Sequence, residues 1–212
     1  MEYNKVLINF CERKLYPNQP EYLNSISALY ISVISYYMIT KTVNLSKIAV
    51  LLYWCIFING ISSFFYHWYA WYIFKLLDEF SMIIPIWLGI SKILLNFNYS
   101  TNCIGLFTSV NILLLVLDIF PWFDKYFPIC FTFELLTLAP LYYKSLRCNK
   151  NYNDCGSKGI IICSATGAIW WITEMNCNKY FIIGHPIWHI GISTGLCYII
   201  TYFNNLQLHF KR

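Results

Sequence analysis

Residues 46–66 read SKIAVLLYWCIFINGISSFFY, and the residue that follows is His67. Lys47 is the one charged side chain, near the start, and the rest is apolar apart from Ser46, Asn59, Gly60 and the pair Ser62 and Ser63. About 20 such residues in a helix cross a hydrocarbon layer of about 30 Å. A helix also satisfies its own backbone hydrogen bonds, which lipid cannot do for it. The stretch therefore reads as a membrane-spanning helix that ends on a histidine.

Six more apolar segments surround it, at roughly 23–40, 72–95, 101–120, 127–143, 158–174 and 180–203. The segments at 127–143 and 158–174 carry the weakest apolar signal. Connections are short, and no repeat, linker or second domain interrupts them. The expected fold is all-α: a polytopic membrane protein built as one seven-transmembrane-helix bundle over residues 1–212. Residues 1–22 form a non-cytosolic N-terminal segment in this reading, and 204–212 a cytosolic tail.

Composition agrees. The chain is 58% hydrophobic and 12% charged, whereas soluble domains are about a quarter charged. The net charge of +5 is spread out, with no basic stripe that would mark a nucleic-acid face. Nine cysteines occur without a C-x-x-C pair, which argues against a thiolate zinc knuckle. The polar opening, with Glu12, Arg13 and Lys14, suggests that the first apolar segment is its own insertion signal. With the N-terminus non-cytosolic, nine of the 15 Lys and Arg fall on the cytosolic side, a mild positive-inside bias.

Three of the four histidines sit at the ends of apolar segments. His67 closes the second. His185 and His189 open the seventh within Gly184-His185-Pro186-Ile187-Trp188-His189, where i,i+4 spacing puts both imidazoles on one helix face. The third segment carries Asp78 and Glu79 in an apolar run. On one straight helix His67 and Asp78 would be about 16 Å apart. A turn near Trp68–Tyr72 instead folds the third segment back, and seven-helix topology brings the start of the seventh to the same side. His67, Asp78, His185 and His189 then converge. Three neutral imidazoles and an open position are the usual catalytic zinc arrangement, in which the ion activates a water. A carboxylate such as Asp78 then serves as base, and a hydroxyl such as Ser63 donates to the oxyanion. His209, in the polar tail, is expected to have no such role.

At these residues the chain resembles the alkaline ceramidase family, within a wider group of seven-helix metal-dependent hydrolases. Ser63-Phe64-Phe65-Tyr66-His67 matches its S-x-x-x-H element, Leu76-Leu77-Asp78-Glu79-Phe80-Ser81-Met82 its L-L-D-E-x-x-M, and the residue 184–189 stretch its G-H-x-x-W-H. Phe10-Cys11-Glu12 and Glu21 through Ser27 resemble its N-terminal W-C-E and E-F-W-N-T-x-S segments. The resemblance implies zinc on His67, His185 and His189, with Asp78 and Ser63 as catalytic partners. It further implies hydrolysis of ceramide or a related lipid amide, an endoplasmic reticulum or Golgi membrane, and a Cys11–Cys177 disulfide. No protein or nucleic-acid partner is implied.

The family's calcium site draws on a D-W-C-E-x-N stretch and a downstream Glu. Its counterparts here are Asn9, Phe10, Glu12, Lys14 and Glu21. Losing a carboxylate and gaining an ammonium weakens Ca2+ binding. The expectation is that Lys14 neutralises Glu12 and Glu21 in place of the ion. Glu174 also stands where the family tends to have Asp. The alternative function is a receptor-like or lipid-binding protein of the adiponectin and progestin receptor type, with little or no turnover.

Overall fold

The computed structural model describes residues 10–123, 126–148 and 153–209. Among them are eight α-helices: α1 (Cys11–Leu15), α2 (Tyr22–Lys41), α3 (Lys47–Tyr69), α4 (Tyr72–Asn96), α5 (Thr101–Asp118), α6 (Phe127–Cys148), α7 (Asn153–Met175) and α8 (Gly184–His209). A 3-10 turn at Pro121–Phe123 lies between α5 and α6. Each of the seven apolar segments coincides with one of the long helices α2 to α8. Four of these, α2, α3, α5 and α7, are long and apolar enough to cross a membrane. The segment at 158–174, weak in sequence, is among them. The one at 72–95, which carries Lys75, Asp78, Glu79 and Lys92, is not.

Helix ends follow local chemistry. Ser46 caps α3, its hydroxyl accepting from the Ala49 amide at 3.3 Å, and Ser100 caps α5 in the same way. α3 stops where Ala70 takes the left-handed conformation at φ 56°. Trp71 is extended, and α4 starts at Tyr72, so the chain reverses within five residues of His67.

Packing is inverted relative to a soluble protein. Large apolar residues face outward, including Leu106, Leu113, Phe133, Leu136 and Trp171, whereas Glu12, Glu21, Asn24, Lys75, Asp78, Asp118 and Glu134 are buried. Such an arrangement suits a bundle whose solvent is hydrocarbon. Apolar cores gather α2, α3 and α8 around Ile31, Tyr53 and Ile56, and α4, α6 and α8 around Ile93, Tyr142 and Phe203. On α5 the buried residues are polar, Asn111 and Asp118. Asp118 Oδ1 lies 3.6 Å from the Lys75 ammonium, which also pairs with Glu79 one turn further along α4. The adjacent carboxylates Asp78 and Glu79 thus engage different partners.

The α7–α8 pair packs through small residues, which let backbones approach closely. A Cβ on Gly159 would lie 2.8 Å from the Gly195 carbonyl oxygen, and one on Gly195 would lie 2.9 Å from that of Gly159. α8 also differs from the expected segment at both ends. It begins at Gly184, after a turn at residues 178–183, and continues past 203 to His209, within the stretch expected to be a tail.

Candidate metal centre

His67 occupies the last turn of α3, and His185 and His189 the first two turns of α8. The reversal at Ala70 and the approach of α8 bring these ends together. The three imidazoles have ring centroids 5.0, 5.3 and 4.5 Å apart. One ligand-capable atom from each lies within 4.8 Å of the others, and all three residues are buried. His209 ends the same helix about 30 Å from His189 at 1.5 Å per residue.

Hydrogen bonding determines which ring nitrogen is available. Glu21 Oε2 lies 2.6 Å from His67 Nδ1. A carboxylate only accepts, so that nitrogen carries the proton and Nε2 keeps its lone pair. His189 Nδ1 is 2.8 Å from the Ser27 hydroxyl, which donates its own proton to the Asn24 carbonyl at 3.0 Å. Ser27 must therefore accept from His189, again leaving Nε2 bare. Among the described residues, the buried Nδ1 of His185 has no hydrogen-bond partner. Bare imidazole nitrogens, with their opposite nitrogens held by a carboxylate and a hydroxyl, are how proteins present histidines to a metal. The residues fit a three-histidine ion such as zinc.

Asp78 lies outside the group of ligand atoms but within electrostatic reach of His67. Its Oδ1 accepts from Asn59 Nδ2 at 2.9 Å, and its backbone carbonyl accepts from Asn59 and Ser81. Ser63, one turn before His67 on α3, is a hydrogen-bond partner of the Asp78 carboxyl. The structure thus brings Ser63, His67, Asp78, His185 and His189 to one end of the bundle. Aromatic residues enclose them. The Phe10 ring lies 4.3 Å from that of His185 and 5.2 Å from that of His67. Trp170 meets His185 edge-on at 5.8 Å and stacks on Trp188 at 5.4 Å.

A disulfide joins Cys11, beside Phe10, to Cys177 in the turn before α8, with Cα atoms 5.3 Å apart. It ties the first described residues to the last helix and holds the Phe10 segment against the histidines.

The residues taken as a calcium site are used otherwise. Asn9 lies outside the described residues, and Phe10 stands over the histidines. Both Glu12 oxygens accept backbone amides at the start of α2, from Leu23 at 2.9 Å and Asn24 at 3.0 Å, which suits a carboxylate at a helix N-terminus. Lys14 pairs with Glu174 at 3.2 Å, and Arg13 Nε stands 3.6 Å from Glu21 Oε1. The expectation that Lys14 neutralises Glu12 and Glu21 is therefore corrected. A guanidinium serves Glu21, helix amides serve Glu12, and Lys14 reaches Glu174 across 160 residues of sequence. With Arg13 beside Glu21 and both Glu12 oxygens on helix amides, the described members of this set do not fit a Ca2+ sphere.

Sequence reasoning missed Ser27 and Asn59, and did not foresee that Glu21 holds the His67 ring. A usable signal was present: Glu21, Asn24 and Ser27 recur at three-residue spacing into an apolar segment, placing oxygen atoms along one side of a helix.

Fold and site together define an α-helical membrane protein with a buried three-histidine centre beside a serine–aspartate pair. The chain matches the Ceramidase family over residues 3–212 and belongs to it. No curated protein matched the chain.

Proposed function

We propose that this protein is a zinc-dependent intramembrane amidase that hydrolyses ceramide, or a closely related lipid amide, to a sphingoid base and a free fatty acid. Membership of the Ceramidase family supports the reaction class. The observation that carries the metal is the buried histidine group whose His67 and His189 tautomers leave bare nitrogens inside it.

His67, His185 and His189 would hold the ion. When bound, zinc supplies Lewis acidity, making a water nucleophilic near neutral pH and polarising an amide carbonyl. Asp78, held by Asn59, would take a proton and return it to the leaving amine, so no net proton is consumed. Once protonated, Asp78 can donate to the Ser63 oxygen, which frees the Ser63 hydroxyl proton for the oxygen that gains charge on the substrate. Phe10, Trp170 and Trp188 limit water around these groups. The exposed apolar helix faces would let acyl chains enter from the bilayer. We place all seven long helices in the membrane, with the N-terminus non-cytosolic and the protein in the endoplasmic reticulum or Golgi.

The test is to purify the protein in detergent, measure bound zinc, and follow release of sphingoid base from ceramide for wild type and His189→Ala. Equimolar zinc and turnover in wild type, both lost in His189→Ala, is the expected result. Zinc without turnover on any lipid amide would favour the receptor-like alternative, and turnover without zinc would remove the mechanism.

A further inference from the structure

Two buried polar atoms beside the metal centre lack a hydrogen-bond partner among the described residues: His185 Nδ1 and Trp170 Nε1. The imidazole nitrogen is an acceptor or a donor according to its tautomer, and as an acceptor it could hold a metal ion. The indole nitrogen is only a donor. Where His185 offers Nδ1 to a metal, pairing it with the indole would consume that lone pair, so the indole then needs another acceptor.

The indole position is well defined. Trp170 stacks on Trp188 with planes 30° apart and meets the His185 ring edge-on at 5.8 Å. Gly167, one turn earlier on α7, makes room for this stack: a Cβ there would lie 3.1 Å from the Trp188 ring. The next residue, Trp171, is 62% exposed, so of this tryptophan pair one faces outward and the other packs beside the histidines. Buried donors in native proteins are nearly always partnered, and one that the described residues do not satisfy points to a ligand.

We propose that the Trp170 indole N–H donates a hydrogen bond to a hydroxyl oxygen of the lipid amide, making Trp170 a substrate-binding residue that selects hydroxylated substrates. This rests on the amidase reading above. Ser63 and Asp78 approach the centre from α3 and α4, where they serve the carbonyl and the proton. Trp170 approaches from α7, alongside α8, so it faces a different part of the substrate. Apart from the amide carbonyl, the oxygens of a ceramide are its hydroxyls, and the rest is hydrocarbon that cannot accept a hydrogen bond.

The test compares wild type, Trp170→Phe and Trp171→Phe on two probes: an N-acyl sphingoid base, and an N-acyl alkylamine of equal length without hydroxyls. Trp170→Phe is expected to retain bound zinc and to lose roughly tenfold in kcat/KM on the hydroxylated probe, mostly through KM, with little change on the other. The Trp171→Phe control should match wild type. An equal loss on both probes, or no loss on either, would overturn the proposal. So would a fall in bound zinc, since Trp170 would then act through His185. If Trp170→Phe does not accumulate, Trp170→His keeps a ring N–H and should retain the preference for the hydroxylated probe; loss of that preference would count against it.

Should wild type hydrolyse neither probe, the amidase reading fails, and the donor is then read by binding. The hydroxylated lipid should raise the Tm of wild type more than the other lipid does, and equal shifts would overturn the proposal.

Discussion

Glu21 and His67 meet at 2.6 Å inside the bundle, joining the first residue before α2 to the last turn of α3. Asn24 donates to the same Glu21 oxygen at 2.9 Å, and Arg13 stands 3.6 Å from the other. Glu21 is thereby fixed from several sides, and it fixes in turn the tautomer of a metal-type histidine. Charge at this outer position raises the basicity of the ligand nitrogen. Glu21→Gln keeps the shape but removes the charge, and its amide can present either an acceptor or a donor. We expect zinc affinity to fall about ten- to a hundredfold, measured by competition with a chromophoric chelator. Unchanged affinity would mean that His67 needs no such partner.

Asp78→Asn should separate the metal from the chemistry. Asp78 is outside the ligand group, so the variant should bind one zinc as wild type does. An amide cannot take up the proton, and turnover should fall by roughly a hundredfold or more. Lost zinc would instead make Asp78 a ligand, and retained turnover would remove it as the base.

Calcium should have little effect. Arg13 and Lys14 already stand beside Glu21 and Glu174, and both Glu12 oxygens cap α2. Turnover is expected to stay within about twofold across a calcium titration from nominally zero to millimolar, because the oxygens a hard cation would need are engaged. A steep rise with calcium would show that the ion displaces these cations.

Gly159→Ala tests the closest helix contact. Alanine normally gains up to about 1 kcal/mol over glycine in a helix. Here the new methyl would lie 2.8 Å from the Gly195 carbonyl oxygen and 3.1 Å from the Ile199 amide nitrogen, both backbone atoms. Overpacking of this kind costs about 1–3 kcal/mol, so the net effect is a lower Tm in detergent. Gly105→Ala, where no atom lies within 4 Å of the added Cβ, is the control and should be neutral or stabilising.

The long helices were legible because lipid demands uninterrupted apolar runs, and His185 with His189 because i,i+4 spacing is a property of one helix. Helix ends were less so. Asn153 through Lys158 and Asn204 through His209 are polar enough to read as loop or tail, yet both stretches continue helices. Pairings across the chain were hidden for a different reason: nothing near Lys14 in sequence indicates Glu174, and only the docking of α1 against the end of α7 makes that contact. Glu21 was readable as a carboxylate at a special place, but the identity of its partner depended on where α3 stops.

The disulfide and the three histidines have a consequence for how the protein is made. His67 is synthesised before Cys177, His185 and His189, which all lie far downstream of it. No N-terminal fragment ending before α8 contains more than one of these imidazoles, and none ending before residue 177 can close the bridge to Cys11. The bridge can therefore close only after Cys177 is made, and the three imidazoles can meet only when α8 docks beside α2 and α3. Until then a nascent chain lacks the three-histidine group, and the docking of α8 is the step that assembles it.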